Sequence, residues 1–445
     1  MILEIPRFRV WHSILAALVL SLDAQSQQPT SRIPSSGEAA KAINDLGLRL
    51  LRESGSGTSL DGSTLASTAN ALVSPYSIQT ALAMTYAGAE GKTREEMARV
   101  LAFGADEGTL HSSFLSLRRS LDNVVTNASR MIRPRDSTAT ATSLEPFVLA
   151  TANRLFGQKD YLFKTKFLEL TRDVYGAPFQ AIDFVGDTRA SVRSINDWVE
   201  EKTRRKIQNL IPSDGLTVDT RLVLVNAVYF KAPWAIEFRK AQTRLETFNV
   251  LENKAVKIPT MVRTGPMGYA QSQGFEALAL PYLGGELQFL ILLPSQTNTL
   301  AAMELPATAG LLMSNATLRT REITLHLPRF RLEPPLMLLG QILRGLGMKS
   351  AFDEPRGSVN FNGMADRKPH DYLRISEVFH KTFVAVDEHG TEAAAATAVA
   401  MVTTKGMISK PTEPFVLRVD RPFLFAIQHR PSGACLFLGR VIDPR

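Results

Sequence analysis

The chain of 445 residues contains a single cysteine, Cys435. An intramolecular disulfide is therefore excluded, and within a strand-like C-terminal segment this thiol reads as a small buried hydrophobe, not a nucleophile. Histidine is scarce too: the seven histidines are scattered without metal-ligand spacing, and no His-Glu-x-x-His occurs. No Gly-x-Ser-x-Gly elbow is present, which removes the commonest serine-hydrolase signature. There is no internal repeat, and beyond an apolar run at 14–22 no stretch approaches membrane length. These absences leave no metal, no cofactor and no enzyme class to favour. The composition, 44% hydrophobic and 21% charged, is ordinary for a globular chain and suits one large domain or two small ones.

The N-terminus has the pattern of an export signal. Arg7 and Arg9 precede the apolar run at 14–22, and the small residue Ala24 follows. Residues 1–24 are expected to be removed, leaving a flexible tail at 25–35 and a folded domain at 36–445. An uncleaved anchor is the alternative. Removal implies a secreted or extracellular protein, periplasmic if the host has an outer membrane, with no membrane attachment afterwards.

Helical and strand patterns are mixed along the chain. Helices are expected at 39–52, at 77–86 after a Ser-Pro start signal, at 191–206 and at 335–346. The near-continuous apolar run at 221–231 suits a strand covered on both faces, and 287–293, 323–331 and 372–387 also read as strands. Residues 55–68, rich in Gly, Ser and Thr, and 130–146 read as mobile surface insertions. The segment Gly88-Ala-Glu-Gly91-Lys92-Thr93 imitates a phosphate-binding loop, but its first glycine is too close to Gly91 and it follows a helix, so nucleotide binding is not expected. The sequons at Asn127 and Asn315 matter only in a host that glycosylates exported proteins.

The least ordinary stretch is Glu388-His389-Gly390-Thr391-Glu392-Ala393-Ala394-Ala395-Ala396-Thr397. Four alanines between threonines offer a core little to pack. Two readings stand: the end of an Ala-rich helix, or a segment that must slide between two strands, where bulk, proline or stray charge would be trapped. In the second, parity sets the register. With Glu392 facing water, Thr391, Ala393, Ala395, Thr397, Val399 and Met401 face the core.

This stretch resembles the hinge of inhibitory serpins, Glu-x-Gly-Thr-Glu-Ala-Ala-Ala-x-Thr. The resemblance extends along the chain through Asn70-Ala-Leu-Val-Ser74-Pro75-Tyr-Ser77-Ile, Leu224-Val-Asn226-Ala-Val-Tyr-Phe-Lys-Ala-Pro-Trp234, Leu327-Pro-Arg329-Phe330, Arg421-Pro-Phe-Leu-Phe425 and Phe437-Leu-Gly-Arg-Val441. It implies an α+β serpin fold: a dominant central mixed sheet with surrounding helices, further smaller sheets and an exposed reactive-centre loop at about 390–414. It further implies a monomer that inhibits serine proteases as a suicide substrate, with insertion of the hinge between the strands around Asn226 and His380. Asn70, Ser74, Ser77, Asn226 and His380 would control sheet opening, and Glu388 would pair with Arg329, where the family usually has lysine. Family spacing puts the scissile bond at Thr404–Lys405, favouring elastase- or subtilisin-like targets. A register one residue longer, after Lys405, would favour trypsin-like ones. A non-inhibitory carrier, chaperone or storage role is the alternative. Arg118 and Arg119 fall in the segment resembling a heparin-binding helix in some serpins, and with a net charge of +8 they suggest a polyanion, not nucleic acid, as a further partner.

Overall fold

The computed structural model describes residues 36–445 except 55–68, 105, 133–146, 251–253, 273, 296–299, 305–307, 309, 311, 313–317, 370 and 393–413. The expected export signal, tail and 55–68 insertion, all but the first three residues of the expected 130–146 insertion, Asn315, and the expected loop from Ala393 through Thr404 and Lys405 therefore lie outside the described residues. Seven α-helices are described: α1 (Gly37–Glu53), α2 (Pro75–Tyr86), α3 (Gly91–Leu101), α4 (Glu107–Ile132), α5 (Thr165–Tyr175), α6 (Thr188–Lys202) and α7 (Gly340–Gly345). The strands are β1 (Ala71–Val73), β2 (Val148–Gln158), β3 (Phe179–Ile182), β4 (Leu222–Pro233), β5 (Arg244–Asn249), β6 (Ala255–Ser272), β7 (Phe275–Pro281), β8 (Leu287–Pro294), β9 (Arg319–Pro328), β10 (Phe330–Leu332), β11 (Met337–Leu338), β12 (Phe379–His380), β13 (Val384–Val386), β14 (Gly390–Thr391), β15 (Phe415–Arg418), β16 (Phe423–His429) and β17 (Cys435–Val441).

Local chemistry accounts for the helix ends nearest the site. Ser74 caps α2, its Oγ accepting the Ser77 N–H at 3.4 Å, with Pro75 at the first helical position where no N–H is needed. Asp187 caps α6 through Ala190 N–H at 2.8 Å. That helix stops at Lys202 instead of continuing to 206, because Arg204 and Arg205 take left-handed φ values of 51° and 61°.

A mixed six-stranded sheet runs β10-β13-β14-β4-β2-β3, with β2 and β3 parallel. A nine-stranded sheet runs β1-β17-β16-β8-β7-β6-β9-β15, with β5 on β6. Strand β4 explains why its sequence is apolar throughout. Val228, Phe230 and Ala232 enter the main core, while Val225 and Ala227 pack under α6 with Phe156, Val192, Ile195 and Val199. Both faces are covered, so alternation disappears. Cys435 is wholly buried, and burial pushes its thiol up.

Three further expected elements differ. The strand at 323–331 is two strands, because Pro328 and Arg329 end β9 and carry the chain into β10 of the other sheet. Within 335–346 only Gly340–Gly345 is helical; Met337 and Leu338 pair instead with His380 and Phe379. Of 372–387, only β12 and β13 have ladder partners among the described residues, while 372–378 borders a cavity.

Candidate functional site

The expected hinge begins at a tight turn. The Asp387 carboxylate accepts the His389 N–H at 2.9 Å and the Gly390 N–H at 3.2 Å, and burial raises its pKa despite these bonds. Trp234 fixes the turn from outside: its backbone N–H donates to His389 O and its indole N–H to Asp387 O, both at 2.9 Å. Glu388 is buried, accepts the Thr243 hydroxyl at 2.7 Å and lies 3.7 Å from the half-exposed Arg329 guanidinium. The anticipated Arg329–Glu388 pair thus exists, with Thr243 as a partner that the sequence did not reveal. His389 Nδ1 sits 3.1 Å from Glu237.

From this turn the chain re-enters the sheet. Gly390 lies opposite Pro233 and Thr391 opposite Ala232 on β4, while Thr391 lies opposite Val386 on β13. A side chain at residue 390 would meet Ala232 O at 2.1 Å, so only glycine fits this approach. Thr391 is fully buried, and its hydroxyl is 2.5 Å from the Tyr282 hydroxyl, itself stacked on Trp234 at 4.7 Å. The Glu392 N–H donates to Ala385 O at 2.7 Å, and then a left-handed φ of 50° ends the ladder. The reactive loop expected from 390 therefore starts inside the sheet.

Thr391 faces the core, as parity requires. Glu392 does not face water. Strand alternation sends it to the opposite face, and that face is covered by the connector after α6. Its side chain is 11% exposed and ion-paired with Lys206.

Below the hinge, β4 and the segment 372–380 diverge around a cavity of about 610 Å³. Arg221 to Val225 form one wall and Tyr372 to His380 the other; Ser77, Ile78, Ala81, Leu82 and Thr85 of α2 form the floor. His380 closes its upper end. The Ser74 backbone N–H donates to His380 Nε2 at 3.1 Å, so the ring is neutral, and burial holds its pKa down to about 4. Ser74 Oγ donates to Leu436 O at 2.7 Å, and Thr382 Oγ1 to Leu72 O at 3.1 Å. Ser74 and His380 are in contact, but the serine oxygen is not on the imidazole, so no activated nucleophile results.

Of the other residues singled out, Ser77 and His380 both line the cavity. Asn226 lies on β4 opposite Asn153, its side chain outside the described residues. Asn70 stands apart: it is exposed and ties down the C-terminus, accepting from Ile442 and Asp443 N–H and donating to Asp443 O at 2.6 Å. Arg118 and Arg119 differ in setting. Arg118 donates to the Asp173 and Val174 carbonyls at 2.9 Å, neutralising the end of α5, and only Arg119 is exposed. Asn127 is held by Glu286 at 2.9 Å. The Gly88–Thr93 turn is occupied with its own fold, Thr93 Oγ1 accepting the Asn360 N–H at 2.9 Å. Among the described residues no cluster of His, Cys, Asp and Glu could hold a metal, and no helix is long and apolar enough to cross a membrane. Tyr282, Thr243, Phe383 and Lys206 belong to the site but carried no signal as isolated residues in the sequence.

Comparison with known proteins agrees with this architecture. The family model for Serpin (serine protease inhibitor) matches residues 41–444. An uncharacterized serpin-like protein of Thermococcus kodakarensis is 38% identical over 84% of this chain and 81% of its own length. The leukocyte elastase inhibitor of Sus scrofa is 36% identical over 84% of this chain and 93% of its own. A solved structure, Serpin48 of the insect Tenebrio molitor, described as highly specific, superimposes with a TM-score of 0.71 at 30% identity, covering 92% and 98% of the two chains.

Proposed function

Because the chain belongs to the serpin family, we propose that it inhibits serine proteases as a substrate that traps its enzyme. The protease serine attacks the Thr404 carbonyl, the Lys405 amine leaves, and Thr404 is held as an acyl-enzyme ester. The freed segment then enters the sheet as a strand between β4 and 372–386, dragging the enzyme and distorting its site before water completes deacylation. Strand addition of this kind uses main-chain hydrogen bonds for affinity.

The observation that carries the reading is the coincidence of the cavity with the hinge register. Extending the β4 pairing one residue at a time puts Thr397 opposite Asn226 and Met401 opposite Leu222. Extending the β13 pairing puts Thr397 opposite His380 and Met401 opposite Ser376. Continued in this way, both registers would bring residues 398–402, with the bulkier core-facing Val399 and Met401, against the residues that line the cavity, which supports the reading. The small alanines, nearer the hinge, would pair with the sheet first. Residues 391–404 span roughly 46 Å at about 3.3 Å per residue, enough to carry a tethered enzyme far from the hinge. The uncleaved fold is then a kinetic trap, held by the barrier to opening the sheet.

The run Met401-Val402-Thr403-Thr404 and the likeness to a leukocyte elastase inhibitor support an elastase- or subtilisin-like target. The charged start and apolar run at 1–24 support export before the inhibitor meets that enzyme. Incubation with elastase, subtilisin and trypsin followed by denaturing electrophoresis tests the function. A covalent band near the summed masses is expected, with a released C-terminal fragment beginning at Lys405. Cleavage by all three with no such band overturns the inhibitory reading, and a fragment beginning at Gly406 moves the bond to Lys405–Gly406.

A further inference from the structure

We infer that Lys206 is a positioning residue that docks the first residues of the hinge into the sheet before any cleavage. The inference rests on the proposed inhibitory function but concerns the uncleaved protein. The connector carrying Lys206 is fixed on both sides: Thr203 Oγ1 donates to Val199 O at 2.7 Å and accepts the Ile207 N–H at 3.2 Å, and Ile207 is buried beneath α6. The left-handed turn at Arg204 and Arg205 then aims Lys206 across the mouth of the slot. Its ammonium group reaches both margins of that mouth. On the hinge side it pairs with the Glu392 carboxylate; on the other it lies 5.1 Å from the ring of Phe383, just before β13. Arg331 approaches the same ring at 4.8 Å.

Glu392 needs this partner. Its backbone already belongs to the ladder, donating to Ala385 O, and docking has stripped most of the water from its side chain. One carboxylate oxygen, Oε2, is buried without a hydrogen bond, so the Lys206 charge is what compensates the docked carboxylate among the described residues. Removing that charge leaves a largely desolvated anion at the end of a two-residue strand, where its cost is set against the Thr391–Tyr282 contact and a few ladder bonds. The hinge is then expelled, and insertion after cleavage must start from an empty slot. With Lys206 present, pairing continues from Glu392 downward instead of nucleating anew. That head start favours trapping over release of the enzyme.

Hydrogen exchange read by mass spectrometry on the intact, uncleaved protein tests this. In Lys206→Met, which keeps the aliphatic stem over Phe383, the Thr391 and Glu392 amides are expected to exchange at least tenfold faster than in the parent. The amides of β8 should be unchanged and serve as the folding control. Lys206→Arg should retain the parent protection, and Lys206→Met combined with Glu392→Gln should recover it, because no unpaired charge remains. Equal protection in Lys206→Met and parent, or a double variant as unprotected as the single one, overturns the inference. Protease trapping is scored separately: a parent that traps no protease speaks against the inhibitory function, whereas the exchange result is independent of it.

Discussion

Replacing Thr391 by arginine probes the hinge at its most enclosed point. Thr391 is fully buried between β4 and β13, with its hydroxyl on Tyr282 and Phe230 nearby, 5.0 Å from the Tyr282 ring between centroids. An arginine there loses the hydroxyl bond, about 1 kcal/mol, and must carry its charge beneath the sheet without a carboxylate, which costs several kcal/mol. Taking about 4 kcal/mol in all, the docked hinge becomes roughly a thousandfold less populated, at 1.4 kcal/mol per factor of ten. If most of that cost is also felt in the transition state for insertion, deacylation overtakes it, and the protein turns from inhibitor to substrate. The assay is the number of inhibitor molecules consumed per enzyme molecule silenced, with a cooperative thermal melt to show that the variant folds. Thr391→Val separates the two contributions: it removes only the hydroxyl and strands the Tyr282 O–H, costing about 1–3 kcal/mol, so inhibition should weaken but survive. An arginine variant that traps protease as efficiently as the parent would refute the assignment of Thr391 to the core face.

Two further outcomes follow from the same geometry. Burial holds His380 near a pKa of about 4, against an ordinary 6.5, so the unfolded chain takes up the proton first. Its contribution is complete above pH 6.5 and is lost as the pH falls towards 4, up to about 3 kcal/mol. His429, also near 4, adds a slope of the same sign. Urea unfolding at pH 7 and pH 5 should therefore show lower stability at pH 5, with the difference reduced in His380→Gln; an undiminished difference would mean that His380 is not the buried neutral ring described. Gly390→Ala should mimic the hinge expulsion of Thr391→Arg, since its methyl group meets a backbone carbonyl and not a side chain that could move aside. Normal exchange protection at Thr391 in that variant would contradict the tight approach to Ala232.

What was legible in the sequence was whatever local pattern decides. The doubly covered β4 announced itself as an unbroken apolar run, Ser74-Pro75 marked the start of α2, and the parity of 391–401 put Thr391 on the core side, where it lies. The misreadings share one cause, a partner distant in sequence. Glu392 reads as solvent-facing because nothing near it reveals that the connector after α6 returns over that face with Lys206. The run 323–331 reads as one strand until Pro328 and Arg329 transfer the chain between sheets. Residues 372–378 have strand composition but no ladder partner among the described residues, because they face the cavity and not a neighbouring strand. Asn70 sits beside Ser74 in the motif, yet a short strand carries it to the opposite end of β1, against the C-terminus.

The central claim is that the cavity between β4 and 372–380 is the empty place of a strand. Nicking the loop between Thr397 and Thr404 with a non-target protease, then melting the nicked and intact proteins side by side, tests it most directly. Filling the slot adds roughly ten backbone hydrogen bonds at about 1 kcal/mol each and covers the apolar walls, so the melting temperature should rise by on the order of 10 °C or more. A nicked protein that melts at or below the temperature of the intact one would contradict the account.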